Sequence, residues 1–488
     1  MAKYLIAACM VLLVLQSCRK DKSAQANLSN YPEQVGKIIN TQCAISGCHN
    51  QNSKAAAGGL SLETWNQLFE GGSSGSVVIP YRPDQSWLMY FVNTDTSRGI
   101  ALTPTMPVNA APLSDDDYYT LYNWILSGAP DANGTIAFSG DPDRKKFYVS
   151  NEGCDLLTVF DTKTLLAMRY IDVGILSGIE VPHQLKISPD GQYLYACFVA
   201  GTIIQKLSTA GDSIVGQISI GPGSWNTMAI SSDGKKAFAV DFSDEGKIAY
   251  INLDEMKLVQ YYQGNGLFES PHGSWLNSDF TTLYVTAQYG NFIYKIDITN
   301  PSFPQIDKVV LKPGQQPNTL QGTIDPHEVL LSPDESKYFV TCQASNEVRV
   351  MDTKTDTLIT VLPVGRYPVE MVMSKTEPYL FVTCMEDPCS EPVCKGSIYV
   401  INYENLTVIK SLQSGLFEPH GIAVDDEEKI VMVANRNVNP GGPAPHHVSE
   451  CGGRNGFMKF INLETLEFLP DVRPEISVDP YSVAAKTH

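Results

Sequence analysis

Apolar and polar side chains alternate along residues 135–488 in a pattern that recurs. Seven short runs carry it: KFYVSN (146–151), YLYACF (193–198), KAFAVD (236–241), TLYVTA (282–287), KYFVTC (337–342), YLFVTC (379–384) and IVMVAN (430–435). A period of two marks a strand with an apolar face. Counted from the aromatic residue or Met of each run, successive runs lie 42 to 55 residues apart. Most follow turn signals of the type SPDG (188–191), SSDG (231–234), NSD (277–279) or SPDE (332–335). Second strand pairs end in VFDTKT (159–164), YINLDE (250–255), KIDITN (295–300), VMDTKT (350–355), VINYEN (400–405) and FINLET (460–465). Seven such units, each of roughly 50 residues, predict a seven-bladed all-β propeller. Residues 29–132 read differently, as short helices joined by Gly, Ser and Pro loops. The chain is thus predicted to be multidomain, a small all-α unit followed by the propeller (135–488), with the boundary near Asp131-Ala132-Asn133-Gly134.

With 43% apolar and 18% charged residues the 488-residue chain can bury a sizeable core. Asp plus Glu number 53 against 35 Lys plus Arg, a formal charge of -18, and no basic block occurs. Phosphate backbones and anionic headgroups would repel such a chain, so nucleic acid is excluded as a partner class. The apolar run from Tyr4 to Leu15 behind Lys3 is too short to span a bilayer and has the shape of a secretory signal. Leu15-Gln16-Ser17-Cys18 resembles the bacterial lipobox. That resemblance implies a signal peptide over 1–17, lipidation of Cys18 and a tether over 18–28. Arg19 after Cys18 implies delivery to the outer membrane, facing the periplasm or the cell surface. Membrane attachment is then through the lipid alone.

Cys43-Ala44-Ile45-Ser46-Gly47-Cys48-His49 spaces two thiols four residues apart with a His directly after. Covalent c-type haem attachment needs two thiols for the two vinyl groups and an adjoining His for the iron. The usual spacing is two residues, so this is a lengthened variant, with Ser46-Gly47 placed to bulge. The predicted haem site consists of Cys43, Cys48 and His49, with Met106 as sixth ligand. Thr103-Pro104-Thr105-Met106-Pro107 holds that Met in a proline-fixed loop 57 residues beyond His49; Met89 is its rival. A helix over 31–41 leads into the motif, and one over 115–129 is capped by Ser114. GGLSL (58–62), PDQSWL (83–88), TPTMP (103–107) and WILSGA (124–129) resemble the small cytochrome c domains of secreted bacterial lipoproteins. One covalent haem c and a redox partner protein are what that resemblance implies. A His/Met axial pair favours a high reduction potential.

The propeller repeat resembles the YVTN-type family over 135–488. Its equivalent inner-strand positions read Gly134, His183, Asn226, His272, His327, Val369 and His420, and each of the four His follows Pro. Innermost strands line the axial channel, so these imidazoles are predicted to form one ring. Two readings stand: a structural or water-lined ring, and a copper, zinc or iron site. In the second, His446 and His447 from the insertion at 439–453 join the ring and the haem feeds it electrons. That arrangement is similar to the multi-His propellers of nitrous-oxide reductase and copper-dependent thiol oxidases. Cytochrome nitrite reductases also join a c-haem to a propeller, but theirs have eight blades. Cys197, Cys342 and Cys384 fall in buried strands. Cys389 and Cys394 either bridge each other or one of them reaches Cys451. No hydrolase, P-loop or dinucleotide signature falls in suitable context. Electron transfer, with the propeller as docking module, is the expected function.

Overall fold

The computed structural model describes residues 29–391, 394–436, 451 and 456–487. The leader (1–17), the tether (18–28), Cys18, His446 and His447 lie outside these residues. Among the described residues no helix is long and apolar enough to cross a membrane.

Among the described residues four α-helices precede the sheets: α1 (Glu33–Gln42), α2 (Trp65–Leu68), α3 (Trp87–Val92) and α4 (Asp115–Leu126). The first buries Val35, Ile38 and Ile39 at helical spacing. For α4, Ser114 caps the start by accepting the Asp117 N–H at 3.2 Å, and three acidic residues sit in the first turn. Both features offset the unsatisfied N–H groups and positive end of the helix. Tyr31, Ile39, Leu121 and Ile125 are fully buried and centre this unit's core.

Seven antiparallel sheets follow, as the alternation predicts. Six blades use consecutive strands. Blade 1 does not: its order is Pro480–Lys486, Lys146–Asn151, Leu156–Asp161, Leu166–Asp172, so the chain's last strand supplies its innermost position. This corrects the assignment of Gly134 to the ring. Gly134 lies in a turn before the first blade, and Tyr481 takes the equivalent place. Joining the two ends of the propeller in one sheet leaves no open edge between first and last blade.

Six inner strands begin at Pro (182, 271, 326, 368, 419 and 480), each preceded by a residue with positive φ: Val181, Ser270, Asp325, Tyr367, Glu418 and Asp479. Register then slips beyond the proline in each of the five complete Pro-led blades. The slip takes the next carbonyl out of the ladder, and a hydroxyl of the preceding blade satisfies it. Ser150 donates to the His183 carbonyl at 2.9 Å, Thr227 to His272 at 2.5 Å and Thr286 to His327 at 2.9 Å. Thr341 does so for Val369 and Thr383 for His420, both at 2.8 Å. At these five junctions one hydroxyl thus fixes the height of the ring residue and ties adjacent blades together.

The helical unit rests on the outer strand of blade 1. Ser76 donates to the Ala167 carbonyl at 2.6 Å, Arg82 pairs with Asp172 at 3.0 Å, and Ile79 is buried in the core between blades 7 and 1. Asp131 closes the boundary by accepting the Asn133 and Thr135 N–H groups, each at 2.8 Å. Residues 135–145 are a bridge more than a blade, because Ala137 and Phe138 pack into the helical core.

Candidate functional site

The helical unit encloses a cavity of about 480 Å³. Cys43, Cys48, His49 and Met106 all line it, and the rest of the wall is largely apolar: Leu60, Leu62, Val77, Trp87, Leu88, Phe91 and Val92. Cys43 caps α1, its N–H bonding to Ile39 O at 2.9 Å. The four intervening residues fold back with Gly47 at φ +83°, so that the His49 N–H reaches Cys43 O at 3.1 Å. Here the longer spacing needs glycine, since a side chain is strained at that φ. Leu62 N–H to His49 O at 2.8 Å ties the motif to the opposite wall. Both thiols are free. Burial, then the neighbouring Cys48, pushes the Cys43 thiol up to about 11. Burial lowers the His49 imidazole and keeps it neutral, the form that ligates iron. Its Nδ1 is buried without a protein partner.

The two methionines separate cleanly. Met106 is half-buried on the cavity wall, its N–H held by Phe91 O at 2.8 Å beyond the end of α3. Met89 lies in the core at 2% exposure and does not face the cavity. Two thiols, one neutral imidazole and one thioether on an apolar cavity fit a c-type haem. Cys43 and Cys48 would hold its vinyl carbons, and His49 and Met106 the iron. Bound there, the haem supplies a one-electron couple.

The ring histidines also converge. His183, His272, His327 and His420 are 2–6% exposed and, with Tyr481, encircle the axis. Ring centroids run Tyr481–His183 4.2 Å, His183–His272 6.4 Å, His272–His327 4.1 Å, His327–His420 5.8 Å and His420–Tyr481 3.6 Å. Burial lowers all four imidazoles, His183 and His272 to about 3, so the ring is neutral at pH 7. Sequence reasoning missed its charged support. Arg436, wholly buried, pairs with Asp479 (Nε to Oδ1 2.6 Å) and with Glu152 at 3.0 Å, and lies over Tyr481. Glu152 in turn holds His183 Nδ1 at 2.5 Å. Glu328, buried, and Glu370, half-buried, sit on adjacent blades. Burial raises both carboxyls, Glu328 further through Glu370, while Lys186 from blade 2 acts against it. The Pro-His pairs are legible in the sequence, whereas the salt-bridge partners come from loops without a repeat.

The expected copper, zinc or iron site at His183, His272, His327 and His420 also drew on His446 and His447, which lie outside the described residues. Three nitrogens around such an ion at 2.0–2.1 Å lie within roughly 4 Å of one another. Among the described residues no three donors of the ring fall even within 4.8 Å; the one such triad is Cys389, Glu391 and Cys394. There the two sulfurs are joined in a disulfide. Cys451, one of the partners considered for that pair, is bonded to Cys154 instead.

The family described as Planctomycete cytochrome C matches residues 46–100, a span that includes Cys48 and His49 but stops short of Cys43 and Met106. No curated protein matches the sequence. Among solved structures, a functionally unknown protein from Desulfotomaculum acetoxidans shares 13% identity, covering 69% of this chain and 99% of its own at a TM-score of 0.52. A putative 6-phosphogluconolactonase from Bacteroides uniformis shares 13%, covering 70% and 99%, also at 0.52. A dihydro-heme d1 dehydrogenase shares 12%, covering 92% and 98% at a TM-score of 0.48. Residues 46–100 are therefore a Planctomycete cytochrome C domain, carried in front of a seven-bladed β-propeller.

Proposed function

We propose that this chain is an exported, lipid-anchored c-type cytochrome that relays single electrons to or from a partner protein, with the propeller as its docking scaffold. The observation that carries this reading is the convergence of Cys43, Cys48, His49 and Met106 on one apolar cavity. Cys43 and Cys48 would fix the haem covalently, neutral His49 and the Met106 thioether would hold its iron, and the apolar wall would limit reorganisation on electron transfer. Anchorage rests on the Leu15–Cys18 lipobox and would hold the protein at the outer membrane through Cys18.

The test is haem attachment in cells with a haem-maturation system. The expected product keeps one haem per chain through acidic organic extraction and titrates as a single one-electron couple. Haem should become extractable in a Cys43→Ala/Cys48→Ala variant whose propeller remains folded by circular dichroism. Haem that is absent, or extractable from the unmodified protein, overturns the reading.

A further inference from the structure

A second cavity, of about 460 Å³, opens between blades 2 and 3 at the far end of their inner strands, where residues 188–190 of one blade approach 232–235 of the next. It marks a break in the repeat. At two other junctions a lysine is caged by the turn of the following blade. Lys146 Nζ donates to Thr209 O at 2.7 Å and to the Asp212 carboxylate at 2.9 Å. Lys295 Nζ donates to Thr353 O and to the Asp356 carboxylate, both at 2.9 Å. Asp212 and Asp356 each come four residues after the third strand ends, at φ +49° and +53°. Blade 3 has Met256 at that place, at φ +52°. The lysine that should meet it is Lys206, which pairs across strands with Tyr195 as Lys295 does with Tyr284. Ala237 moreover stands where blade 5 has Tyr338, whose ring packs on Tyr284 at 5.3 Å. The junction has thus lost both a carboxylate and a ring.

Lys206 lines the cavity half-buried, its Nζ 3.8 Å from the Tyr193 ring centre, and makes no hydrogen bond or ion pair with a described residue. Tyr195 lines it too, and burial, then Asp190, raises its hydroxyl so that it stays a donor. The remaining charges are of both signs. Asp190 and Asp233 are turn carboxylates, each accepting a serine hydroxyl, Ser188 or Ser231, at 2.6 Å, which holds both below the usual range. Asp233 also has Lys235 and Lys236 beside it, and Asp190 is drawn to Lys206 without an ion pair. Asp254, exposed on the rim, has no hydrogen bond or ion pair among the described residues. One ammonium group, Lys206, and one carboxylate, Asp254, are therefore left over on the same cavity. A bare anion would face the three carboxylates of the wall, and a bare cation its two ammonium groups. A ligand that carries one group of each sign satisfies both.

We propose that the cavity between blades 2 and 3 binds one free α-amino acid, whose carboxylate takes the place of the missing aspartate on Lys206 and whose ammonium group turns to Asp254. Tyr195 donates to the same carboxylate, and Leu253 with the Tyr193 ring forms the side against which the amino-acid side chain rests. The site takes no part in holding the haem.

The experiment is calorimetric titration of the full-length protein with glycine and L-leucine, against sodium acetate and methylammonium chloride at matched ionic strength. One saturable site per chain is expected for the amino acids and for neither half-molecule. Lys206→Met should weaken it by about tenfold or more, the value of a hydrogen bond to a charged group. Met256→Asp, which completes the cage from within at a φ that Asp tolerates, should weaken it as much. Circular dichroism checks that both variants keep the propeller folded. A second readout needs no variant: saturating L-leucine should protect Lys206 of the unmodified protein from reductive methylation, read by mass spectrometry, and this decides alone if neither variant folds. Any one of three results overturns the proposal. These are equal saturation by acetate or by methylammonium, binding that a folded Met256→Asp variant leaves unchanged, and no saturation with Lys206 methylated at an unaltered rate, which would mean a junction filled by water only.

Discussion

Met89 and Met106 differ less in chemistry than in address. Met89 sits on α3 inside the helical core, so its thioether is committed to packing. Met106 sits on a loop suspended from Phe91 and faces the cavity. Met106→Ala should therefore leave haem attachment intact but abolish the thioether-to-iron charge-transfer band and lower the reduction potential, read by absorbance and potentiometry. Met89→Ala should keep both signals and cost about 2–5 kcal/mol of stability, the usual penalty for emptying a packed core site. Reversal of the two spectra would make Met89 the ligand. Arg436 has no exposed surface. Arg436→Met removes the buried guanidinium that pairs with Glu152 and Asp479, and denaturant unfolding should show a loss of about 3–5 kcal/mol.

Among elements, the loop through Gly72–Ser76 has two duties, because it walls the cavity of the helical unit and touches the propeller. The Ser74 carbonyl accepts the Glu475 N–H at 3.0 Å, and Gly75 packs so closely that a Cβ would stand 2.7 Å from Pro474 Cβ. Gly75 is also at φ +96°, so any side chain there is strained twice over. Gly75→Val should separate the two domains, exposing the boundary near residue 135 to limited proteolysis while each domain keeps its own spectrum. Unchanged protease resistance would show that Ile79 and Arg82 suffice to hold the interface. The two contacting stretches also mark what a sequence does and does not disclose. Each blade announces itself because its strands alternate locally and its turns carry Asp or Asn, so the sevenfold repeat is legible. The closing strand is not legible from counting alone, since its partner Lys146–Asn151 lies over 300 residues earlier; local periodicity carries no information on which strand pairs with which. Asp479-Pro480-Tyr481 did hold a clue, repeating the Pro-plus-ring pair of the other blades with Tyr for His. Likewise Cys43, Cys48 and His49 lie within seven residues and are readable as a motif. The Cys154–Cys451 bridge spans 297 residues and follows only from the closure of blade 7 onto blade 1.

For the whole molecule, the axial groups set how stability responds to pH. The four ring histidines are neutral when folded, His183 and His272 down to about 3, and charge near 6.5 when unfolded. Below pH 6.5 the unfolded chain binds the extra protons, so each His contributes stability that is complete above 6.5 and lost as pH falls toward 3. The two carboxyls act in the opposite sense. Glu370, raised to about 7, and Glu328, raised likewise, hold protons in the folded state that the unfolded chain releases above about 4.5. They favour folding as pH falls from 7 to 4.5, partly cancelling the histidines. Below 4.5 both states hold those carboxyl protons and the imidazoles act unopposed. Each uncompensated proton is worth about 1.4 kcal/mol per pH unit. Calorimetric melting should accordingly show a stability maximum near neutrality, a moderate decline from 6.5 to 4.5 and a steeper one below. His420→Gln should remove about one proton from the slope throughout the acid range, and Glu370→Gln should steepen the segment from 6.5 to 4.5 alone. A decline that begins only below 4.5, or that neither substitution alters, would mean that the ring and the carboxyl pair exchange protons with solvent in the folded state.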